Sequence, residues 1–246
     1  MQRYLLLLKK QVNTLAHRKI MFVIVEGTSD ETALGVILNR IYDKASVYIH
    51  IFHGDITTKR GVNNQNIISK IGNIVRRYAK ETHFKQTDFQ EIVHICDMDG
   101  AYISDDNIIE NTTLDKTKYV LTNIETSNIK KIKIRNQQKR ENLNRLCVCA
   151  NIWNIPYRIF YMSCNLDHAL YNALNITDEE KESLAYQFAK KYKNDIPSFI
   201  KYIAHSDFSV QLDYKSSWQF IQQGLNSLQR HTNLGLCFDD VEKLSD

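Results

Sequence analysis

Residues 21–38 read MFVIVEGTSDETALGVIL, and the order of features in them decides the fold expected of the whole chain. An unbroken apolar run ends on a carboxylate, Glu26. Gly27, Thr28, Ser29 and Asp30 follow, and an apolar pattern of helical period then begins. A near-continuous apolar run suits a strand covered on both faces. Residues 19–25 are therefore expected as a first strand, and residues 30 to about 42 as a helix.

The same unit recurs downstream. SVYIHIFHGDIT (46–57) predicts a second strand over 47–52, ending on His53, Gly54 and Asp55. A long amphipathic helix is expected over about 64–80. FQEIVHICDMDGAYI (89–103) predicts a third strand over 91–96, ending on Asp97, Met98, Asp99 and Gly100. Residues 101–125 read as irregular, and 129–144 as basic and helical in the second half. PYRIFYMS (156–163) predicts a fourth strand over 157–162, and NLDHALYNAL (165–174) the start of a helix capped by Asn165. Helices are expected over 2–17, 177–193, 196–205 and 216–230.

Strands alternating with helices predict an α/β fold: a four-stranded, mostly parallel sheet with helices on both faces. The expected organisation is an N-terminal helix (1–18), an α/β unit (19–175) carrying a basic insertion at about 101–150, and a C-terminal helical appendage (176–246). With 43% hydrophobic and 24% charged residues in a chain of 246, one full core can form. Only 8 Gly and 2 Pro argue against a many-turned all-β fold. A net charge of +4 permits a nucleic-acid partner without demanding one. Five cysteines in no zinc spacing read as thiols in a reducing compartment. The four leucines at 5–8 are too few for a signal segment or a membrane span, so the expected location is cytoplasmic.

In a parallel sheet with right-handed crossovers the carboxyl ends of all strands lie on one edge, where ligands bind. Glu26, Asp55, Asp97 and Asp99 would converge there. In extended backbone Asp97 and Asp99 point to the same side, and Asp30 could reach inward from the first helical turn. Several close carboxylates need a counter-charge. Mg²⁺ or Mn²⁺ with oxygen ligands supplies one. Taken singly, EGTSDE is also a strand end with a helix cap, and DMDG a turn; their order, with a strand and a helix between them, favours a site. Asp55 reads equally as a turn residue, and Asp167 equally as a helix first-turn acid. Removing either Asp97 or Asp99 is expected to leave the fold intact.

An apolar strand ending in Glu-Gly, with a later strand ending in Asp-x-Asp, resembles the Toprim domain, over roughly residues 19–175. VEGTSDETAL (25–34) is most similar to the branch found in OLD-family nucleases. The resemblance implies a Rossmann-like Toprim fold and a Mg²⁺-dependent nuclease, with Glu26 and Asp30 as metal ligands or acid–base groups and Asp97 and Asp99 holding the metal. Ala101 stands where topoisomerases often carry a third aspartate. No phosphate-loop motif is present, so the chain resembles standalone Toprim effectors of anti-phage defence, some of which work beside a separately encoded ATPase. The alternative is a Toprim-fold binding or regulatory subunit without activity of its own.

NIKKIKIRNQQKRENLNRL (128–146) concentrates Lys130, Lys131, Lys133, Arg135, Lys139 and Arg140. Two readings stand: an exposed track for DNA or RNA phosphates, or a solvated helix face. One cation of this segment could also offset charge in a phosphoryl-transfer transition state. The apolar stripe Trp218, Phe220, Ile221, Leu225 and Leu228 reads as packing or as a homodimer interface.

Overall fold

The computed structural model describes residues 19–43 and 47–238. The expected N-terminal helix lies outside the described residues. Strand β1 (Lys19–Val25) has the expected bounds, and helix α1 (Thr28–Asp43) follows within three residues. Then come β2 (Val47–His53), α2 (Ile67–Thr82), β3 (Phe89–Asp97), three short strands β4 (Ile108–Glu110), β5 (Lys118–Tyr119) and β6 (Ile124–Thr126), and α3 (Ile129–Leu146). Strands β7 (Asn151–Ile152) and β8 (Ile155–Ser163) precede α4 (Leu166–Tyr171), α5 (Asp178–Tyr192), α6 (Ile196–His205), α7 (Tyr214–Ile221) and β9 (His231–Thr232).

The main sheet runs β2-β1-β3-β8-β7, with β9 also on β8. The four long strands are mutually parallel. Two short strands, β7 and β9, add to β8 in antiparallel fashion, so the sheet has six strands rather than the expected four. Residues 101–125, expected to be irregular, contribute to a separate three-stranded sheet in the order β4-β6-β5. Helix α3 is helical from its start, capped by Asn128, whose side chain accepts from the Lys131 amide.

Each β1 residue from Ile20 to Val25 is buried because both sheet faces are covered. Val23 and Val25 face α1, α4, α5 and α6, packing with Leu34, Ile37, Phe188 and Phe199. Phe22 and Ile24 face α2, the end of α3 and α7, packing with Ile71, Val75, Leu143 and Trp218. A third cluster, Ile103, Ile108, Ile124, Ile132, Cys164 and Leu228, joins the small sheet to the start of α3.

The C-terminal helices are therefore not an appendage. Phe188, Phe199 and Ile203 lie in the same core as β1, and β9 completes the sheet. Of the apolar stripe, Trp218, Ile221 and Leu228 are buried, Trp218 against Tyr161 on β8, whereas Phe220 and Leu225 are half-buried. The last helix ends at Ile221 instead of residue 230, and Gly224 takes a left-handed conformation (φ 52°) just beyond it. No disulfide joins the five cysteines. Among the described residues no helix is long and apolar enough to cross a membrane.

Candidate functional site

Parallel pairing places the ends of β1, β3 and β8 side by side, and three acids meet there. Glu26 follows β1, and its Oε1 accepts from the Asp97 amide at the end of β3 (3.0 Å). Asp97 turns to β8, where its Oδ1 accepts from the Leu166 amide at the start of α4 (2.9 Å). Asp99 is not in extended backbone as the sequence suggested. Its φ is 51°, followed by Gly100 at 66°. The Asp99 amide donates to Cys164 O (2.7 Å), and the turn directs its carboxylate to α3.

The ammonium of Lys139 lies under these acids. Lys139 Nζ is 3.3 Å from Glu26 Oε1 and bonds directly to Asp99 Oδ2. The Lys139 side chain has no solvent exposure, whereas Glu26 and Asp99 keep 13% and 20%, so the acids form the mouth and the ammonium the floor. The expectation that Lys139 is an exposed phosphate contact is thus corrected. Positions 132, 136, 139, 143 and 146 form one buried stripe of α3. Lys139 sits seven residues after Ile132 and four before Leu143, which is the helical spacing of one face. That spacing was present in the sequence, but the polar Asn136 and Asn142 beside it disguised the stripe.

Arg135 also points inward. It donates to Asp99 O (2.8 Å) and to the Tyr119 hydroxyl (2.5 Å), and that hydroxyl donates to Asp99 Oδ1 (3.2 Å). Of the other basic residues, Lys130 and Lys131 are exposed, Lys133 pairs with Asp105 (3.6 Å), and Arg140 is half-buried. Tyr119, Asn136 and the β4–β6 sheet that carries Tyr119 had no signal in the sequence, because strands of two or three residues are too short to show alternation.

Asp30 folds back over the loop it starts from. Its Oδ2 accepts from the Glu26 (3.1 Å) and Gly27 (2.9 Å) amides, so it fixes the turn that aims Glu26. Asp55 is held by its own loop: Oδ1 accepts from the Thr57 amide (2.8 Å) and hydroxyl (2.7 Å), and Oδ2 from the Thr58 hydroxyl. Asp167 is buried, 3.8 Å from Lys181, and its Oδ1 has no hydrogen-bond partner.

Electrostatics separates these acids into two kinds. Burial, with the charges of Asp55 and Asp99, pushes Glu26 up to about 8 despite Lys139. Burial and the charges of Glu26, Asp30 and Asp99 push Asp97 well above the usual carboxylate range. Burial also raises Asp30, and raises Asp167 to about 6. Asp99 goes the other way: burial would raise it, but Lys139 and Arg135 outweigh burial and hold it low. Burial would raise Asp55 too, but Lys139 and the two threonine hydroxyls hold it low. Desolvation would lower Lys139 itself, but Asp99 and Glu26 keep it well above its usual value.

Asp97 and Asp99 should therefore respond differently to neutralisation, where the sequence treated them alike. Asp97→Asn keeps the acceptor for Leu166 and removes a destabilising charge, so the metal-free melting midpoint should hold or rise. Asp99→Asn strips Lys139 of its main partner and should cost about 3 kcal/mol. Equal midpoints for the two variants in chelator-treated buffer would contradict this division.

The counter-charge that the sequence assigned to a metal is here supplied by Lys139. Among the described residues no three His, Cys, Asp or Glu side chains are gathered to hold an ion as they stand. The donors nonetheless have the right chemistry for a hard cation: all are carboxylate oxygens. Glu26 Oε2 and Asp97 Oδ2 make no hydrogen bond among the described residues, and Asp167 Oδ1 is buried without one. No protein-family model, curated protein or solved structure matches the chain.

Proposed function

We propose that the chain is a metal-dependent nuclease of the Toprim type, hydrolysing phosphodiesters in DNA or RNA. The observation that carries this reading is the meeting of Glu26, Asp97 and Asp99 at the carboxyl edge of the sheet, over the buried ammonium of Lys139. Glu26 and Asp97, with Asp99 and Asp30 beside them, are the residues that would hold Mg²⁺ or Mn²⁺. Bound there, the ion would supply an activated water and offset charge on the phosphate oxygens.

The chain's own groups have distinct tasks in this reading. Asp99, kept ionised by Lys139, fixes the negative end of the site. Arg135 and Tyr119 lock the left-handed turn that carries Asp99. As an alternative to holding the ion, Glu26, shifted to about 8, is the acid able to take or give a proton near neutral pH. Asp30 holds the Glu26 and Gly27 amides and so sets where that proton sits. The resemblance to effectors of anti-phage defence extends the proposal to a cytoplasmic toxic activity exercised beside a separately encoded ATPase.

The test is cleavage of mixed DNA and RNA by the purified protein with Mg²⁺ or Mn²⁺. The expected result is cleavage that stops with EDTA and in Asp97→Asn. Cleavage that persists in a folded Asp97→Asn protein overturns the site. Binding of nucleic acid with no cleavage in either metal would favour the alternative, a binding or regulatory subunit.

A further inference from the structure

The loop after β2 carries two cations that neither the fold nor the acid cluster uses. Lys59 and Arg60 are exposed, and neither makes an ion pair or a side-chain hydrogen bond among the described residues. Their backbone, by contrast, is fastened from several sides. The Val62 amide donates to Lys59 O (3.0 Å), closing a four-residue turn. Gly61 sits at φ 79°, as the third residue of a type II turn requires. This leaves Arg60 at the apex. Val62 is buried in the core, and Asn66 Nδ2 donates to Gly61 O (3.0 Å). Gln138 Nε2 donates to both Lys59 O (3.0 Å) and Val62 O (2.9 Å).

The residues of α3 that hold this turn are neighbours of those that hold the acids. Arg135, Gln138 and Asn142 are spaced by three and four residues along one face. Arg135 grips Asp99 O, Gln138 grips the turn, and Asn142 Nδ2 donates to Thr57 O (2.7 Å). Lys139, next to Gln138, lies beneath Glu26 and Asp99. The turn and the acidic mouth are thus held by adjacent residues of one helix, Gln138 and Lys139. Asp55, four residues before Lys59, is close enough for its charge to act on Glu26.

We propose that the Lys59–Val62 turn is a preset contact for the phosphodiester backbone of the substrate, placed beside the acidic mouth that would otherwise repel it. The proposal rests on the nuclease reading above. Because Arg135 and Lys139 are turned inward, it places a phosphate contact on the loop that α3 supports, in addition to the exposed Lys130 and Lys131 of α3 itself. A phosphate at Arg60 is met by a backbone already fixed by hydrogen bonds, so that only the two side chains need to be ordered on binding. The contact is with phosphates, which DNA and RNA share, and reads no sequence.

The test measures binding of labelled single-stranded RNA, single-stranded DNA and duplex DNA across a salt series, in EDTA so that nothing is cut. The proteins are wild type, K59Q/R60Q and, as a control from the opposite sheet face, K190Q/K193Q. Removing one cation–phosphate pair lowers the slope of log affinity against log salt by about 0.7 for single strands and 0.9 for duplex. K59Q/R60Q should therefore flatten the slope by about 1.4 to 1.8 and the control by nothing. A slope unchanged in K59Q/R60Q, with wild-type cleavage intact, overturns the turn's role and leaves the nuclease reading standing. A folded wild-type protein that neither binds nor cuts overturns both. The three probes show which nucleic acid the turn serves.

Discussion

Lys139→Met is expected to lower the stability of the metal-free protein by about 3–5 kcal/mol above pH of about 8, the usual cost of breaking a buried ion pair from one side. The substitution roughly preserves volume, so the loss is electrostatic. It leaves Asp99 ionised against a wall that no longer holds a cation, with Glu26 and Asp55 close by. Arg135 and Tyr119 still reach the Asp99 turn, which keeps the penalty short of unfolding it outright. Two comparisons make the origin clear. Adding Asp99→Asn to Lys139→Met should recover part of the loss, because the stranded charge is gone. The loss should also shrink at acid pH, where the carboxylates can take up protons. Urea denaturation of the three variants measures this. A change below about 1 kcal/mol for Lys139→Met would show that the ammonium is not the counter-ion of the cluster.

The second large effect is a dependence on pH that Glu26 imposes. In the folded chain it keeps its proton up to about pH 8, against an ordinary value of 4.5. Between those limits unfolding releases a proton, so stability falls as pH rises, by about 1.4 kcal/mol for each pH unit and proton. Asp97 and Asp30, also raised, act in the same direction. His94 and His168, each lowered to about 4, act in the opposite direction below their usual value. Glu26→Gln isolates the one contribution, since glutamine still accepts from the Asp97 amide. The stability of the variant relative to wild type should climb steadily across this window and level off near its upper end. Parallel stability curves for the two proteins would mean that Glu26 is ionised throughout.

Much of this arrangement could be read from residues alone. The mostly parallel sheet with its helices followed from alternating apolar and helical segments, and Glu26 and Asp97 declared themselves as carboxylates at the tips of buried strands. What stayed hidden was hidden for physical reasons. Lys139 looked like one of many surface cations because its neighbours on the buried stripe, Asn136 and Asn142, are polar as well. Composition alone cannot distinguish a solvated face from a polar one that is fully hydrogen-bonded. Asp99 was placed by assuming extended backbone, but a left-handed residue sends its side chain elsewhere. Strands β4, β5, β6 and β9 have two or three residues each and carry no period. Helix α7 was overextended because apolar residues continue past Gly224 at helical spacing, although the backbone does not.

The Asp99–Gly100 turn is braced from far along the chain. The Gly100 amide donates to Ser227 O (3.0 Å), the Tyr102 amide to the Ser227 hydroxyl (3.2 Å), and the Ser163 hydroxyl to Asn226 O (2.8 Å). Leu228 packs so closely that a methyl group on Gly100 would come within 2.6 Å of it. On the ribosome, where residues emerge in order, β1 and β3 can pair long before any of these braces exist. The acidic mouth takes its final form only once residues 226–232 have been synthesised. A nascent or prematurely terminated chain would therefore hold the strands without the finished centre.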